Sequence, residues 1–177
     1  PLKHADGSVV TATKEFTPDA ATGTVEIEFT FDSSLLDGQS FVAFESLKYK
    51  GIEIATHNDI TDLEQTVDVP TIHTTLYDKA VGEDEHIGTA ATEVTLVDKV
   101  YYENLTPDLE YTLHGVLMVK ETNEPFVNAE GEPYVMTKTF TPDTSKGFVE
   151  VEFTVDTTLV EGKTIVAFET LDYKSVT

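Results

Sequence analysis

Residues 14–50 read KEFTPDAATGTVEIEFTFDSSLLDGQSFVAFESLKYK, and residues 138–174 read KTFTPDTSKGFVEVEFTVDTTLVEGKTIVAFETLDYK. They align without a gap at an offset of 124 residues, with 21 of 37 positions identical. Chance does not produce such a match. A period that long exceeds any solenoid unit and fits a string of whole domains.

Both copies carry a β signature. Val25, Ile27, Phe29 and Phe31 alternate with Glu26, Glu28 and Thr30, as Val149, Val151, Phe153 and Val155 do with Glu150, Glu152 and Thr154. That period of two predicts a strand over residues 25–31 and another over 149–155. Turn signals follow, Asp37-Gly38 in one copy and Glu161-Gly162 in the other. Further strands are expected over residues 93–102, 111–119 and 133–141, and no segment holds a helical period. Short strands at this spacing predict an all-β, antiparallel β-sandwich in tandem.

The window is out of phase with its repeats. Asp68-Val69-Pro70 reads as a linker, and a new domain opens at Thr71. Residues 1–69 are expected to form the C-terminal part of one domain. Residues 70–177 are expected to form the larger part of the next, lacking its last strand.

Composition narrows the function. The chain has 177 residues, with 33 acidic against 11 basic side chains and a net charge of −22. Such a surface repels phosphate backbones and anionic lipid heads, so nucleic acid and membrane are poor partners. Cysteine is absent, which excludes disulfides, thiolate metal sites and a cysteine nucleophile. Secreted domains often carry a covalent staple, so if this one is extracellular its staple must come from other chemistry.

Polar side chains on apolar faces are the candidates for that chemistry. Glu45 sits in phase with Phe41, Ala43, Leu47 and Tyr49, and Glu169 with Ile165, Ala167, Leu171 and Tyr173. Asp98 is in phase with Leu96, Val100 and Tyr102, Thr74 with Ile72 and Leu76, Gln65 with Leu63 and Val67, and His57 with Ala55. Burying a carboxylate without a partner costs several kcal/mol, so such a group is protonated, hydrogen-bonded or functional. The plainer alternative places Glu45 and Glu169 at strand ends, reaching water; for Thr74, Gln65 and His57 taken singly, an ordinary strand residue explains each.

The segments TIHTTLYDK, TLVDKVYYENLTPDLEYTLHGVLM, KTFTPD, VEVEFTVD and VAFE of the second copy, with VAFESL and ATHNDITDLEQTV of the first, resemble the VaFE-type repeat. These are the Thr–Gln ester-bond domains of cell-surface adhesins of Gram-positive bacteria. The resemblance spans almost the whole chain and implies an Ig-like (CnaB-like) sandwich. It also implies that a threonine hydroxyl on the first strand attacks a glutamine carboxamide on the last, releasing ammonia and leaving an intramolecular ester. Matched by motif, Thr74 would be the nucleophile, with Thr75 pointing to the other face, and Gln65 the acceptor. Asp98, Glu45 and Glu169 would be the acidic partners and His57 the proton carrier.

The chemistry explains these residue types. A neutral carboxyl can donate to the amide oxygen as it becomes an oxyanion, and histidine can take the threonine proton and pass one to ammonia. One event per domain makes a covalent strap and no turnover, so the chain is not expected to be an enzyme. No cofactor and no metal site are expected. His, Glu and Gln fall in the first copy and Thr, Asp and Glu in the second, so neither copy holds a full set. Each crosslinking residue is expected to bond to a partner outside its own partial copy, and no ester is expected between Gln65 and Thr74 of one chain. The window is therefore either cut from a longer array or completed by strand exchange with another copy.

The resulting expectation is a stalk repeat of a cell-wall-anchored surface adhesin, with neighbouring repeats as partners and a host ligand unspecified by the sequence. The rival is a ligand-binding module for a host protein or glycan, which would show exposed aromatics clustered in its loops. Glu83-Asp84-Glu85-His86 reads as a solvated loop, because adjacent residues cannot converge on one cation. His4, His73 and His114 read as ordinary surface or strand histidines.

Overall fold

An alternating segment becomes a strand only where a neighbour completes its hydrogen-bond ladder. In the computed structural model, which describes residues 1–33 and 36–173, that condition separates the two copies. The chain folds as two units, Pro1–Val69 and Pro70–Thr177.

The first unit has four short strands: β1 (Ser40–Val42), β2 (Glu45–Tyr49), β3 (Ile52–His57) and β4 (Thr66–Asp68). β1 pairs antiparallel with β4, and β2 with β3, as two separate two-stranded ladders. None of its described residues is buried. The strand expected over residues 25–31 does not form. In the second unit the matching segment is paired along its length with residues 94–102; residues 25–31 pair with no described strand. Without that partner the segment has the right side chains and no ladder.

The second unit contains β5 (Thr71–Asp78), β6 (Val94–Glu103), β7 (Tyr111–Val119), β8 (Glu124–Pro125), β9 (Val135–Phe140), β10 (Gly147–Val155) and β11 (Ile165–Asp172). One antiparallel sheet has the order β10-β6-β5. In the other, β7 is central, with β11 along one edge and β8 and β9 sharing the other. Val100, Val151 and Phe153 from the first sheet meet Leu113, Leu117 and Phe126 of the second in one core. This is an antiparallel β-sandwich.

Two polar side chains anchor the long connection from β5 to β6. Asp78 accepts from the backbone N–H of Ala80 (2.9 Å) and Thr89 (2.8 Å). Buried Thr157 accepts from Ala91 N (3.0 Å) and donates to Thr89 O (2.5 Å). Glu83, in that loop and partly exposed, pairs with Lys99 (2.9 Å) and accepts from Tyr101 Oη (3.0 Å).

β5 is the edge of its sheet and β11 the edge of the other, and the two edges approach each other along one side of the sandwich. The far edge of β11 is paired by no described strand.

Candidate functional site

The approach of β5 and β11 brings together Thr74, Asp98 and Glu169. On β6, Asp98 lies opposite Leu76 of β5 and Val151 of β10, and its solvent exposure is 0%. Thr74 lies opposite Val100, on the same inward face, whereas Thr75 lies opposite Lys99 on the outward face. Glu169 lies opposite Gly115 of β7. A Cβ at residue 115 would stand 3.1 Å from Met136 Sδ and 3.2 Å from Phe153 Cζ, so the position faces the core and is closely packed. Directly opposed residues share a face, so Glu169 turns inward.

Electrostatics follow from burial. Removal from water pushes the Asp98 carboxyl above its ordinary value, a rise that Glu169 and then the Thr74 hydroxyl partly offset. Burial, followed by the bond and charge of Asp98, pushes Glu169 up to about 9, with Thr74 opposing. Two carboxyls this close share one proton, and both values belong to the pair. Burial thus holds the pair short of full ionisation at neutral pH. Asp98 Oδ1 and Oδ2 and Glu169 Oε1 nevertheless have no partner of hydrogen-bond geometry. The side chains sit near enough to alter one another's ionisation, yet a buried polar site remains short of partners.

The first unit assembles the complementary half-set. Glu45 and His57 are directly opposed across β2 and β3. His57 Nδ1 lies 3.8 Å from Glu45 Oε2, and Nε2 lies 3.1 Å from Asp62 Oδ2. Gln65 ends a short 3₁₀ turn, Leu63–Gln65, just before β4, and its carbonyl accepts from Ala43 N (3.1 Å). Continuing the β1–β4 register, in which Phe41 opposes Val67, places Gln65 on the face of Ala43 and Glu45. Glu45 is 35% exposed and His57 50% exposed at their side chains, so this half-set is wet.

Asp62 is the functional neighbour that sequence reasoning missed. It caps the 3₁₀ turn, accepting from Glu64 N at 2.9 Å, and its carbonyl accepts from Thr66 Oγ1 at 2.6 Å. The Asp-Leu-Glu pattern signals a cap, but nothing in the sequence signals that the second carboxylate oxygen meets a histidine.

Residues 2–69 and 70–177 each match the family described as the T-Q ester bond containing domain. The chain belongs to that family. Thr–Gln ester-bond domains occur in surface proteins. No curated protein matches the chain.

The match repeats across both units. Glu45 and Glu169 occupy the same repeat position. The ester-bond unit at 70–177 holds Thr74 with the buried pair Asp98 and Glu169, and the unit at 2–69 holds Gln65, Glu45 and His57. No helix among the described residues is long and apolar enough to cross a membrane.

Proposed function

We propose that the chain is a segment of the stalk of a cell-wall-anchored surface adhesin, in which each repeat is closed by a Thr–Gln ester that it forms on itself. The observation that carries this reading is the meeting of Thr74 with Asp98 and Glu169, where three buried carboxyl oxygens lack partners.

The steps follow from those groups. The Thr74 hydroxyl attacks the side-chain carbonyl carbon of the glutamine on a closing strand, as its proton moves to a base of the His57 type. Protonated Glu169 donates to the carbonyl oxygen as negative charge develops there. The carbon–nitrogen bond breaks, and the histidine returns the proton to the leaving amine, which departs as ammonia. The site is consumed in the act, so the domain is no turnover enzyme.

A strap from first to last strand closes a loop of ~100 residues, worth roughly 4–5 kcal/mol in the chain-entropy account. It also lies across the line of pull between the two ends, which suits a stalk under shear. The net charge of −22 keeps such a segment soluble and apart from its neighbours. The rival, a ligand-binding module, finds less support. His73 stacks on Tyr101 at 4.8 Å, and Lys99 covers Phe148 at 4.6 Å, so these aromatics sit on strands and are engaged with each other or with Lys99.

Intact mass of a length of the protein carrying whole repeats tests the reading. One ammonia should be missing per closed repeat, and Thr74→Ala should restore it in the second unit. Full mass in the unaltered protein would remove the crosslink.

A further inference from the structure

Met136 of β9, Gly115 of β7 and Glu169 of β11 stand in one inward-facing row across the second sheet. Because Gly115 has no Cβ, Met136 lies directly over it. A Cβ there would meet Met136 Sδ at 3.1 Å, Met136 Cγ at 3.2 Å and Phe153 Cζ at 3.2 Å. That point stands about 4.5–5.5 Å from the Glu169 Cβ, the spacing of directly opposed residues. The thioether and the Phe153 ring therefore form the core wall next to the Glu169 side chain, whose Oε1 is cut off from water.

Met136 differs from the rest of that wall. It is half-buried, where Gly115 and Phe153 are buried, and it carries an oxidisable sulfur. The chain holds no cysteine and one other methionine, Met118. Met118 is also half-buried, but it lies on the outward face of β7, opposite Val166 and Pro125. Of the two sulfurs, that of Met136 borders the site. β9 and β11 flank β7 on opposite sides, so the approach to Met136 from solvent does not depend on what lies along β11.

We propose that Met136 is an oxidation site, at which a hydroperoxide opens the wall beside Thr74, Asp98 and Glu169 and disables them. A sulfur lone pair attacks the outer peroxide oxygen, the oxygen–oxygen bond breaks, and that oxygen stays on sulfur as a sulfoxide. Two electrons pass from sulfur to the peroxide. The remaining oxygen takes the proton of the transferred one and leaves as water, or as an alcohol from an organic peroxide. A sulfoxide is polar where the thioether was apolar. The contacts around the Gly115 position, at 3.1–3.2 Å, leave no room for an added oxygen. The oxidised side chain swings out to water, and water reaches Glu169 in its place.

Wetting removes burial, the main cause that raises the Glu169 carboxyl, so the acid ionises nearer its ordinary range. Among the described residues, Asp98 of β6 is the titratable group turned toward it. β5, β7 and β10 turn Thr74, Gly115 and Phe153 that way, and Lys138 of β9 reaches instead to the Glu150 carbonyl (2.7 Å). An ionised Glu169 has no proton to give an amide oxygen. That effect on closure rests on the ester reading above; the opening of the wall does not. Reduction of the sulfoxide reverses the change.

The test uses the 177-residue chain with Met118→Leu, which leaves Met136 as its one sulfur. Treated with hydrogen peroxide while folded, it should gain one oxygen in mass and keep its β circular dichroism. Its stability falls as pH rises from 4.5 to about 9, and after oxidation it should fall less steeply. Met136→Gln, polar and of similar length, should show the shallower profile without peroxide. Met136→Leu should keep the steep profile with or without it. Should oxidation unfold the chain, the Met136→Gln profile decides. In a length of the protein carrying whole repeats, Met136→Gln should lose ammonia roughly tenfold more slowly than Met136→Leu. A folded chain that takes up no oxygen at Met136, or takes it up and keeps the steep profile, would overturn the proposal. Whole repeats of unaltered sequence that keep all their ammonia would instead defeat the ester, and the pH profile would still judge the wall.

Discussion

Two 37-residue stretches of this chain, identical at 21 positions, fold in two ways. In the second unit, residues 147–155 and 165–172 are the continuous strands β10 and β11, each laid against a long neighbour. In the first unit, the counterpart of β10 forms no strand, and that of β11 breaks at Ala43-Phe44 into β1 and β2. The break has a cause. β1 is held by β4 and β2 by β3, and no single long strand spans both. Closely similar side chains therefore carry a β preference that a neighbouring strand must redeem, which is the sense in which β propensity belongs to context.

Matched substitutions test that contrast most strongly at Phe29 and Phe153, one repeat apart. Phe153 is 4% exposed and packs in the core, whereas Phe29 is 40% exposed. Phe153→Ala should destabilise the second unit by about 3–5 kcal/mol. Phe29→Ala should change stability by less than about 0.5 kcal/mol. Urea denaturation of the whole chain reads both. A comparable loss at Phe29 would mean that the first unit buries a core of its own, and the contrast would fail.

The carboxyl pair offers the next test. Glu169 ionises at about 9 in the folded protein, against an ordinary value of 4.5. The folded state then holds more protons than the unfolded one between those values, so stability falls as pH rises across that window. It is highest below 4.5 and levels off above about 9. Glu169→Gln removes the glutamate's share of the titration and should make the profile shallower, Asp98 keeping its own, and should leave the variant more stable than the original by about 1–3 kcal/mol toward the alkaline end. Glu45→Gln, at the same repeat position but partly in water, should move stability by no more than about 1 kcal/mol. Thermal melts over that pH range decide it. A steep profile surviving in Glu169→Gln would assign the slope to other groups.

These contrasts also mark what the sequence could reveal. The repeat and its alternation foretold β10 and β11 with their inward Glu169, because both features are local and the partner strands lie in the same unit. Asp98 and Thr74 were legible for the same reason, as polar residues in phase with apolar ones. Residues 25–31 misled, since their pattern specifies a face and says nothing about whether a neighbour is present. The split at Ala43-Phe44 was hidden too, because it depends on β3 and β4. Gly115 gave no sign that it stands opposite Glu169, a relation fixed by register between β7 and β11.

Asp62 carries the smallest expected effect and the sharpest division of roles. One carboxylate oxygen caps the turn that presents Gln65, and the other stands against His57. Asparagine caps as well as aspartate, so Asp62→Asn should keep the Glu64 amide bonded and shift stability by less than about 0.5 kcal/mol. Asp62→Ala removes the cap and should cost about 1 kcal/mol, seen as faster hydrogen exchange at Glu64. If the two variants exchange alike, the cap does not hold the turn, and the ion pair with His57 must position Gln65 instead. If only alanine releases Glu64 while both variants slow ester formation in whole repeats, one side chain is both the cap of the turn and the group that orients the histidine. The first unit would then possess, in a wet two-stranded setting, an ordered half-site that owes nothing to a core.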